Sequence, residues 1–534
     1  YCKDALQLRE ELTEKFGFDC TNYNDTKIGS ELFIRTLEKE QPGSCYEQTS
    51  RGRKMRQTKR DKIDLKDCLF SYIKFNRPEF QAVHEWFKTQ VITETKGVFT
   101  DLLEHKLGDV AKYAEMLTKK KKISNPNDKK DKKYIPTESH IASLRREQPL
   151  GWIEEKELKS PKGAKSYYWC YRIAETLNVV INGFRYDYGV GGIHGAKQGI
   201  VRTEGNKVLR TLDVSSFYPN MAISNNLHPA HLGTTFCRVY KSLYDERKSH
   251  PKGSGANAAL KLALNASYGN SNNEFSPLYD PAYTMATTVG GQLSLCMLME
   301  RLIDECHAEI IMCNTDGFEY LIDKSHIDKA DSLVKEWENT TKLEMEGDTY
   351  AVMYIANVNN YISITTSGKV KTKGAYELPD YKKEGYKSIA FEKHGWHKNH
   401  SAFVIPLAAV EFLVNDKPIE DTIMNWDNPY DFLLRTKVPR SSRLVLCYDD
   451  GREELQQNIC RYYPSVNGGK LVKIMPPLEE GGEERRLGID TDWNVQTCNN
   501  IKDFTWNLNY DYYISEANKL VNAITIGGDI VEME

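Results

Sequence analysis

The sequence predicts an α+β protein, because apolar runs with strand character and long helical patterns alternate irregularly along the chain. Two strands are predicted by the β-type runs at 208–212 and 310–312, which lead to the carboxylates of Asp213 and Asp316. A long apolar helix is predicted between them, over about 284–305. No internal repeat of fixed period is visible, which excludes solenoid and propeller folds.

Length and composition exclude several classes of protein. The chain has 534 residues, which predicts three or four domains. It has no apolar segment near the length of a membrane span, so a soluble protein with no membrane partner is expected. Its twelve cysteines lack the spacing of zinc ligands, which favours a reducing compartment and a cytoplasmic location. The start at Tyr1 predicts a missing upstream portion.

Positive charge is concentrated in two stretches of the chain. Seven Arg and Lys residues lie within 51–62, and eight lysines lie within 119–133. Each stretch is either a loop that faces phosphate groups or a solvated loop, and the sequence leaves both interpretations open. The formal net charge of −3 gives no global nucleic-acid signature.

The first half of the chain predicts the following elements. A helix is predicted over about 5–16, and an aromatic-rich mixed region over about 70–205 ends in a glycine cluster. Residues 206–240 predict a strand, a turn and a helix around Asp213. Two helices joined by a tight turn at 251–255 follow, and they predict a small projecting hairpin without a core of its own.

The second half continues with a hairpin and a further domain. The segment HAEIIMCNTDGFEYLI predicts two strands joined by a tight turn at Asp316 and Gly317. Strand alternation places Asn314 and Asp316 on the same face, where the neutral Asn314 is available for hydrogen bonds with water or a ligand. After about residue 400, helical and irregular segments predict a separate domain that ends in an amphipathic stretch at 513–521.

The two aspartates are the strongest candidates for chemistry. If their strands are neighbours in one sheet, the carboxylates of Asp213 and Asp316 meet. Such a pair offers only oxygen ligands, which suits Mg²⁺ or Mn²⁺ bound together with substrate phosphates. Two metal ions about 4 Å apart stabilise the attacking and the leaving oxygen of a phosphoryl transfer. The working hypothesis is nucleotidyl transfer with two divalent ions.

A second candidate site lies on the predicted helix ALKLALNASYGN. Lys261, Asn265 and Tyr268 are spaced i, i+4 and i+7, so they share one face. A cation, an amide and a ring on one stripe suit the phosphates and the base or sugar of a nucleoside triphosphate. Arg247 and Lys248 on the preceding helix are placed to reach the same phosphates. Taken singly, each residue also fits an ordinary role as a solvated cation or a core ring.

The segment DVSSFYP supplies further candidates around Asp213. Ser216 is placed to cap a helix that starts near Pro219, which would aim backbone N–H groups at an anion. Phe217 and Tyr218 follow, and Tyr218 is placed under the sugar, where its bulk would exclude a 2′-hydroxyl. The alternative is that Asp213 is a turn carboxylate and Tyr218 a core aromatic.

Three motifs in a fixed order, DxxSxYP, KxxxNxxYG and a strand bearing TDG, resemble those of the family B DNA polymerases, most closely the versions encoded by tailed bacteriophages. The specific motifs fall within about residues 180–400. The resemblance implies a right-hand architecture with an antiparallel palm sheet and helices, short helical fingers and a mixed thumb. The implied boundaries are 1–70 for the trailing edge of an exonuclease or N-terminal region, 71–204 for a region leading into the palm, 205–240 and 273–400 for the palm, 241–272 for the fingers, and 401–534 for the thumb.

The resemblance assigns roles residue by residue. It implies that Asp213 and Asp316 bind two Mg²⁺ or Mn²⁺ ions and catalyse the reaction, and that Tyr218 selects the deoxy sugar. The implied substrate-binding residues are Ser216, Phe217, Tyr218, Arg247, Lys261, Asn265 and Tyr268. The implied DNA contacts are Tyr188, Gly191 and Gly192 in the glycine cluster YGVGGIHG, and Tyr361, Lys371 and Lys373 in NYISITTSGKVKTKG.

The chain departs from the family pattern at two places. The family's DTDS turn reads NTDG here, with Asn314 in place of the first aspartate, and Asn359 or Asn360 stands where the KxY element has lysine. Asp213 and Lys261 are 48 positions apart, which leaves no room for the insertion of protein-primed relatives and favours a nucleic-acid primer. Proofreading is not predicted for the chain as given, since no DxE segment precedes the first motif.

The predicted function is therefore template-directed addition of deoxynucleoside monophosphates to a primer 3′ end. The predicted partners are primer–template DNA and deoxynucleoside triphosphates. A monomer is expected, with replication accessory proteins as further candidate partners and the host cytoplasm as its location if a phage encodes it. One alternative is a non-catalytic primer–template binding protein derived from a polymerase, which Asn314 suggests. Another is a palm enzyme that uses RNA as template or product, against which Tyr218 argues.

Overall fold

The structure is a computed structural model of the chain. It describes residues 2–92, 116–128, 131, 134–147, 152–157, 165–174, 176–252, 254–378, 401–477, 482–489 and 492–527. These residues form a mixture of helices and strands, so the predicted α+β class is confirmed. Gly253 in the predicted turn, and part of the lysine stretch at 119–133, lie outside the described residues.

Helices are spread over the whole described chain. They are α1 (Cys2–Phe16), α2 (Asp25–Glu40), α3 (Pro78–Thr89), α4 (Glu138–Glu147), α5 (Phe217–Ser224), α6 (Thr235–Lys248), α7 (Gly255–Asn270), α8 (Pro281–Cys306), α9 (Ile327–Thr341), α10 (Val404–Asn415), α11 (Ile419–Met424) and α12 (Tyr510–Asn522). The predicted helices at 5–16, 284–305 and 513–521 are confirmed as α1, α8 and α12. None of the helices in the described ranges combines the length and apolarity that crossing a bilayer requires.

Strands alternate with these helices. They are β1 (Tyr46–Thr49), β2 (Gly52–Met55), β3 (Ile63–Asp64), β4 (Val91–Ile92), β5 (Met116–Lys122), β6 (Trp152–Glu157), β7 (Lys165–Ala174), β8 (Thr176–Ile181), β9 (Phe184–Gly189), β10 (Ile193–Ala196), β11 (Gly199–Arg202), β12 (Lys207–Val214), β13 (Glu309–Asn314), β14 (Gly317–Asp323), β15 (Met345–Asn357), β16 (Asn360–Thr365), β17 (Val370–Lys373), β18 (Leu434–Lys437), β19 (Arg443–Cys447), β20 (Glu453–Gln456), β21 (Ile459–Met475), β22 (Arg485–Ile489) and β23 (Val495–Thr497).

The chain forms two compact units. The first unit contains residues 6–196 and 210–347, and the second contains residues 1–5, 197–209 and 348–534. Both candidate aspartates and the candidate helix stripe belong to the first unit. The finer boundaries of palm, fingers and thumb stay predictions.

A sheet with the strand order β12-β14-β13-β10-β9-β8 forms the centre of the first unit. The strands from β14 to β8 pair antiparallel. Helix α8 packs on β13 and β14 and is buried along nearly its whole length, which explains its continuously apolar sequence. Helix α9 also packs on α8, where the Trp337 indole N–H donates to the Ser294 carbonyl over 2.6 Å.

Helices α2, α6 and α7 pack together around a second core of the first unit. At Gly29 the backbones of α2 and α7 touch, because a Cβ atom there would lie 2.7 Å from the Ala263 nitrogen. The Phe33 ring packs 5.2 Å from the rings of both Phe236 and Tyr240. Helices α6 and α7 therefore share a core with α2, from near the start of the chain, and this association was not predicted from the sequence.

The second unit is also mixed. Strands β15, β16 and β17 form an antiparallel ladder, with β11 on the other edge of β15. Strand β21 pairs with β18, β19, β22 and β23. Helices α10, α11 and α12 pack on one another and share one core with these strands. Two buried tyrosine hydroxyls join distant segments: Tyr376 donates to the Leu520 carbonyl over 2.7 Å, and Tyr513 to the Phe432 carbonyl over 2.8 Å.

Candidate active site

The two aspartate segments meet at the ends of adjacent strands. β12 ends at Val214, β14 begins at Gly317, and the two strands are neighbours in the sheet. The Val214 N–H donates to the Asp316 carbonyl over 2.8 Å. The two strands predicted from the runs at 208–212 and 310–312, β12 and β13, are not themselves neighbours, because β14 lies between them. The strand beside β12 is the one that follows Asp316. Asp213 and Asp316 therefore lie on adjoining backbone, and both residues are exposed.

Gly317 allows this close approach of the two segments. A Cβ atom at this position would overlap the Oδ1 atom of Asp213 and would lie 2.6 Å from the Leu212 carbonyl oxygen. A residue with a side chain would therefore displace the carboxylate or separate the strands. Position 317 therefore has to lack a side chain, because the Asp213 carboxylate occupies the space that a side chain would need.

The turn that carries Asp316 is also held by a third strand, β10. The Thr315 N–H donates to the Ile193 carbonyl over 3.0 Å, and the Thr315 hydroxyl lies 3.2 Å from His194 Nε2. Thr315 has a φ of +52°, a left-handed conformation that is strained for a β-branched residue. These contacts with β10 stabilise the strained turn and so fix the backbone of Asp316.

The hairpin differs from its sequence-based prediction in two ways. Asn314 pairs with Gly317, so the turn residues are Thr315 and Asp316, and the predicted turn at Asp316 and Gly317 is wrong. Strand β13 ends at Asn314, so strand alternation does not reach Asp316 and the predicted shared face has no basis. The physical reason is the left-handed Thr315, which reverses the chain one residue earlier than expected.

A cavity of about 690 Å³ lies beside the two aspartates, and both line it. This volume is in the range of small-molecule sites. The cavity brings together all of the predicted substrate-binding residues, which are Ser216, Phe217, Tyr218, Arg247, Lys261, Asn265 and Tyr268.

The polar stripe of α7 faces this cavity. Lys261 and Asn265 are exposed and Tyr268 is half-buried, whereas Ala263 and Leu264 are buried in the core shared with α2. Because the apolar face of α7 is fixed by this packing, its polar face is directed at the cavity. The stripe predicted from the i, i+4, i+7 spacing is confirmed as a spatial unit.

Arg247 reaches the cavity from α6. Its terminal nitrogen donates to the Ser216 hydroxyl over 3.1 Å, and its Nε is buried with no hydrogen-bond partner among the described residues. Ser216 precedes α5 with a φ of +46°, and its side chain makes no capping bond, so its predicted capping role is wrong. Its hydroxyl instead orients a guanidinium. A buried N–H that lacks an acceptor is costly, and an anionic ligand would satisfy it.

Tyr218 and Tyr268 stack on each other at one side of the cavity. Their ring centroids are 4.1 Å apart, with an angle of 26° between the planes. The Tyr218 hydroxyl donates to the Gly191 carbonyl over 3.0 Å. Burial raises the pKa of Tyr268 to about 12 and raises the pKa of Tyr218 well above its ordinary value. Both rings therefore stay neutral at physiological pH and form an uncharged wall.

Two residues of the glycine cluster lie at the edge of the site. Gly191 accepts the hydrogen bond of Tyr218. A Cβ atom at Gly192 would lie 3.1 Å from the Thr315 hydroxyl oxygen, so Gly192 packs against the turn that carries Asp316. The cluster thus contacts both the tyrosine wall and the aspartate turn, while its contact with DNA stays a prediction.

Two other predicted ligand contacts are core residues. Tyr188 is fully buried, and its hydroxyl lies 3.4 Å from the Cys296 sulfur. This burial contradicts the predicted contact of Tyr188 with DNA. Tyr188 lies on β9, and the alternation of side chains along this strand directs its ring into the core. The glycines that follow Tyr188 made this strand hard to recognise in the sequence. Phe217 lines the cavity, but only 5% of it is exposed and its ring packs on Gly291 of α8. Phe217 mainly packs α5 against α8.

The remaining predicted DNA contacts belong to the second unit. Tyr361 on β16 pairs with Lys373 on β17. The Lys371 ammonium donates to the Tyr350 hydroxyl over 3.2 Å and lies 5.3 Å from the centre of its ring. These three residues do not line the cavity of the first unit. Their role in gripping the primer stays a prediction.

Glu346 lines the cavity and was missed by the sequence analysis. The Ser215 N–H donates to the Glu344 carbonyl over 2.9 Å, which sets a register with Glu346 opposite Asp213. The sequence LEMEG could have predicted a strand here, because it alternates apolar and acidic residues as a half-buried strand does. Lys248, which the sequence analysis placed near the phosphates with Arg247, also lines the cavity. The other cavity residues that were missed include Tyr244, His250, Lys252 and Asn257.

The donor set fits a divalent cation that is shared with a substrate. Mg²⁺ is usually held by one or two carboxylates together with substrate phosphates and waters, and Asp213 and Asp316 supply the two carboxylates. Within the described ranges, no group of three or more His, Cys, Asp and Glu side chains is arranged to hold a metal ion. The pair therefore fits a site that the substrate completes, rather than a cage made by the protein alone.

Comparisons with known proteins give a distant likeness. No protein-family model and no curated protein matches the chain. Among solved structures, the chain is similar to the family B DNA polymerase of the hyperthermophilic archaeon Pyrobaculum calidifontis, with a TM-score of 0.35 and 14% identity. The match covers 74% of this chain and 51% of that polymerase, so the chain spans about half its length. At this TM-score the likeness carries no argument about the site, and the comparisons give the tailed-bacteriophage type no support.

Replacing Gly317 by Ala tests the close approach of the two aspartate segments. The added methyl group would overlap the Asp213 carboxylate, so we expect the free energy of unfolding to fall by about 1–3 kcal/mol. Chemical denaturation measures this change. In the matched control Gly269→Ala, the new Cβ meets open space within α7, and we expect unchanged or slightly higher stability. Equal stability of wild type and Gly317→Ala would contradict the account of this contact.

Proposed function

We propose that this chain is a template-directed DNA polymerase that adds deoxynucleoside monophosphates to a primer 3′ end. The observation that carries the proposal is the placement of Asp213 and Asp316 on adjoining strand ends beside one cavity that Arg247 and Lys261 also line. Carboxylates for divalent ions and cations for phosphates are the two requirements of nucleotidyl transfer.

The first requirement concerns the primer 3′-hydroxyl and the leaving group. When bound, two Mg²⁺ or Mn²⁺ ions would activate the 3′-hydroxyl and stabilise the charge on the leaving pyrophosphate. Asp213 and Asp316 would hold these ions. Glu346, opposite Asp213, adds negative charge beside the pair and would strengthen the attraction for cations.

The second requirement is a cationic surface for the triphosphate. Arg247 and Lys261 reach the cavity from α6 and α7, and Lys248 and Lys252 line it as well. Arg247 is held by the Ser216 hydroxyl, so its remaining N–H groups are already oriented before a substrate binds. We propose that these cations bind the phosphates and neutralise the charge that develops on the leaving group.

The tyrosine wall supports selection of deoxynucleotides. Tyr218 is fixed from two sides, by stacking on Tyr268 and by its bond to the Gly191 carbonyl. A ring that cannot swing away excludes a 2′-hydroxyl by steric overlap with the sugar. Base pairing with the template, rather than the protein, would choose the nucleotide.

The right-hand architecture is part of the same proposal. The palm would be the sheet bearing both aspartates, the fingers would be residues 241–272, and the thumb would follow residue 400. The mixed fold is compatible with this division. The palm assignment rests on the aspartate strands, and the fingers assignment on the stripe of α7.

Primer extension tests the proposal directly. We expect Asp213→Asn and Asp316→Asn each to lower the extension rate by about 1,000-fold or more, because several kcal/mol of charge stabilisation by the metal ions would be lost. Binding of primer–template DNA should stay within about threefold of wild type, since neither change removes a phosphate-binding cation. Both rates and affinities are measured on the full chain.

Asp328→Asn, an exposed carboxylate at the start of α9, is the matched control and should extend primers as wild type does. Extension that survives the loss of Asp213 or Asp316 would exclude their metal role. A wild-type chain that binds primer–template DNA tightly and never extends it would favour the non-catalytic binding protein.

A change at Tyr218 tests sugar selection. We expect Tyr218→Ala to raise the ratio of ribonucleotide to deoxyribonucleotide incorporation by about tenfold or more, because the steric barrier at the sugar is removed. Tyr218→Phe keeps the ring and loses only the bond to Gly191, so it should preserve selectivity. Competition between labelled nucleotides in single-turnover extension measures the ratio. Unchanged selectivity in the alanine variant would reject this role.

A further inference from the structure

Phe275 is an aromatic side chain that the fold does not bury. It is 80% exposed, the highest value of any large hydrophobic residue in the described part of the chain. It lies seven residues beyond Tyr268, in the loop that leaves the C-terminal end of α7. Both faces of a phenyl ring that is this exposed are open to stacking by a planar ligand.

The loop around Phe275 is fixed by hydrogen bonds on both sides of the ring. The Gln57 side-chain amide donates to the Glu274 carbonyl over 2.6 Å and to the Ser276 carbonyl over 2.8 Å. The Phe275 N–H donates to the Asn273 side chain over 3.0 Å. The ring is therefore presented by a pre-organised loop, which lowers the entropic cost of binding.

The segment that holds this loop belongs to the first basic stretch, residues 51–62. Arg60 is used within the fold, because it makes two hydrogen bonds of 2.7 and 3.0 Å to Asp280, which is 1% exposed. This ion pair with a buried carboxylate anchors the stretch to the loop that follows α7. The other cations of the stretch are exposed: Arg51, Arg53, Lys54, Arg56, Lys59 and Lys62.

Two of the exposed cations are brought near Phe275 by the hydrogen bonds of Gln57 and Thr58. Arg56 and Lys59 flank Gln57 and Thr58, and the Thr58 N–H donates to the Tyr279 carbonyl over 3.0 Å. Nearby acids offset part of the charge: Glu47 pairs with Lys54 and Arg56 at 3.1 and 3.9 Å, Lys62 lies 3.6 Å from Asp64, and Asp61 and Glu274 are exposed. The cations still outnumber these acids, so the surface favours an anionic ligand.

We propose that Phe275 and the exposed cations of the stretch, chiefly Arg56 and Lys59, form a binding surface for the unpaired template strand. A planar ring beside cations suits a single strand, whose bases have free faces for stacking and whose phosphates need neutralisation. Paired bases in a duplex offer no such faces. Helix α7 carries cavity residues, and Phe275 lies five residues beyond its end, so we assign the surface to the template just outside the cavity. This last step rests on the proposed function.

Equilibrium binding tests the inference on the full chain. Fluorescence anisotropy, without nucleotide or divalent ions, compares a primer–template with a long 5′ template overhang and the same duplex with flush ends. We expect wild type to prefer the overhang, and Phe275→Ala to weaken overhang binding by about tenfold while leaving flush-duplex binding unchanged. Phe275→Trp should retain the preference, because the indole ring also stacks.

Salt dependence tests the cations separately. Replacing Arg56 and Lys59 by Gln should reduce the slope of log affinity against log salt for the overhang DNA by about 0.7 for each phosphate that the protein no longer neutralises. Two matched controls should behave as wild type: Leu455→Ala, which removes another exposed apolar side chain, and Lys335→Gln, which removes an exposed cation from α9.

Three outcomes would overturn the inference: no overhang preference in wild type, an unchanged preference in Phe275→Ala, or an equal loss of affinity for flush and overhang DNA. The first outcome would favour a protein, rather than a single DNA strand, as the ligand of this surface. Because binding is measured without chemistry, the two proposals fail separately. A chain that prefers the overhang and never extends primers refutes only the polymerase, whereas one that extends primers with no role for Phe275 refutes only this surface.

Discussion

The candidate site depends on one backbone contact, the approach of β12 and β14 at the hydrogen bond between the Val214 N–H and the Asp316 carbonyl. Two carboxylates on adjoining strand ends repel each other, so their closeness must be maintained by structure that does not depend on them. Gly317 provides room for the Asp213 carboxylate, and β10 holds the strained Thr315 from the other side. Divalent cations bound between the two carboxylates would relieve this repulsion.

The helices supply the complementary charge. α6 and α7 bring Arg247 and Lys261 to the cavity, and their positions depend on a core that includes α2. The backbone contact at Gly29 brings α2 and α7 unusually close, so the cationic face of α7 is set by a helix from near the start of the chain. Carboxylates on strands and cations on helices therefore meet in one cavity.

Local spacing allowed much of this site to be predicted from the sequence. The strand runs before Asp213 and Asp316, and the i, i+4, i+7 stripe at Lys261, are short-range patterns that the fold preserves. Long-range packing was invisible in a single sequence, so the association of α2 with α7 and the place of Glu346 opposite Asp213 were missed. The burial of Tyr188 and the position of the turn at Thr315 were wrong for a related reason, since both depend on register and backbone strain.

The central claim is that Asp213 and Asp316 jointly hold divalent cations beside a substrate. Anomalous scattering from Mn²⁺ in crystals of the full chain with primer–template DNA and a nucleotide tests it most directly. The account predicts a manganese peak about 2.1 Å from a carboxylate oxygen of each aspartate, in contact with the triphosphate. Manganese bound to the triphosphate with both carboxylates beyond coordination distance would contradict it.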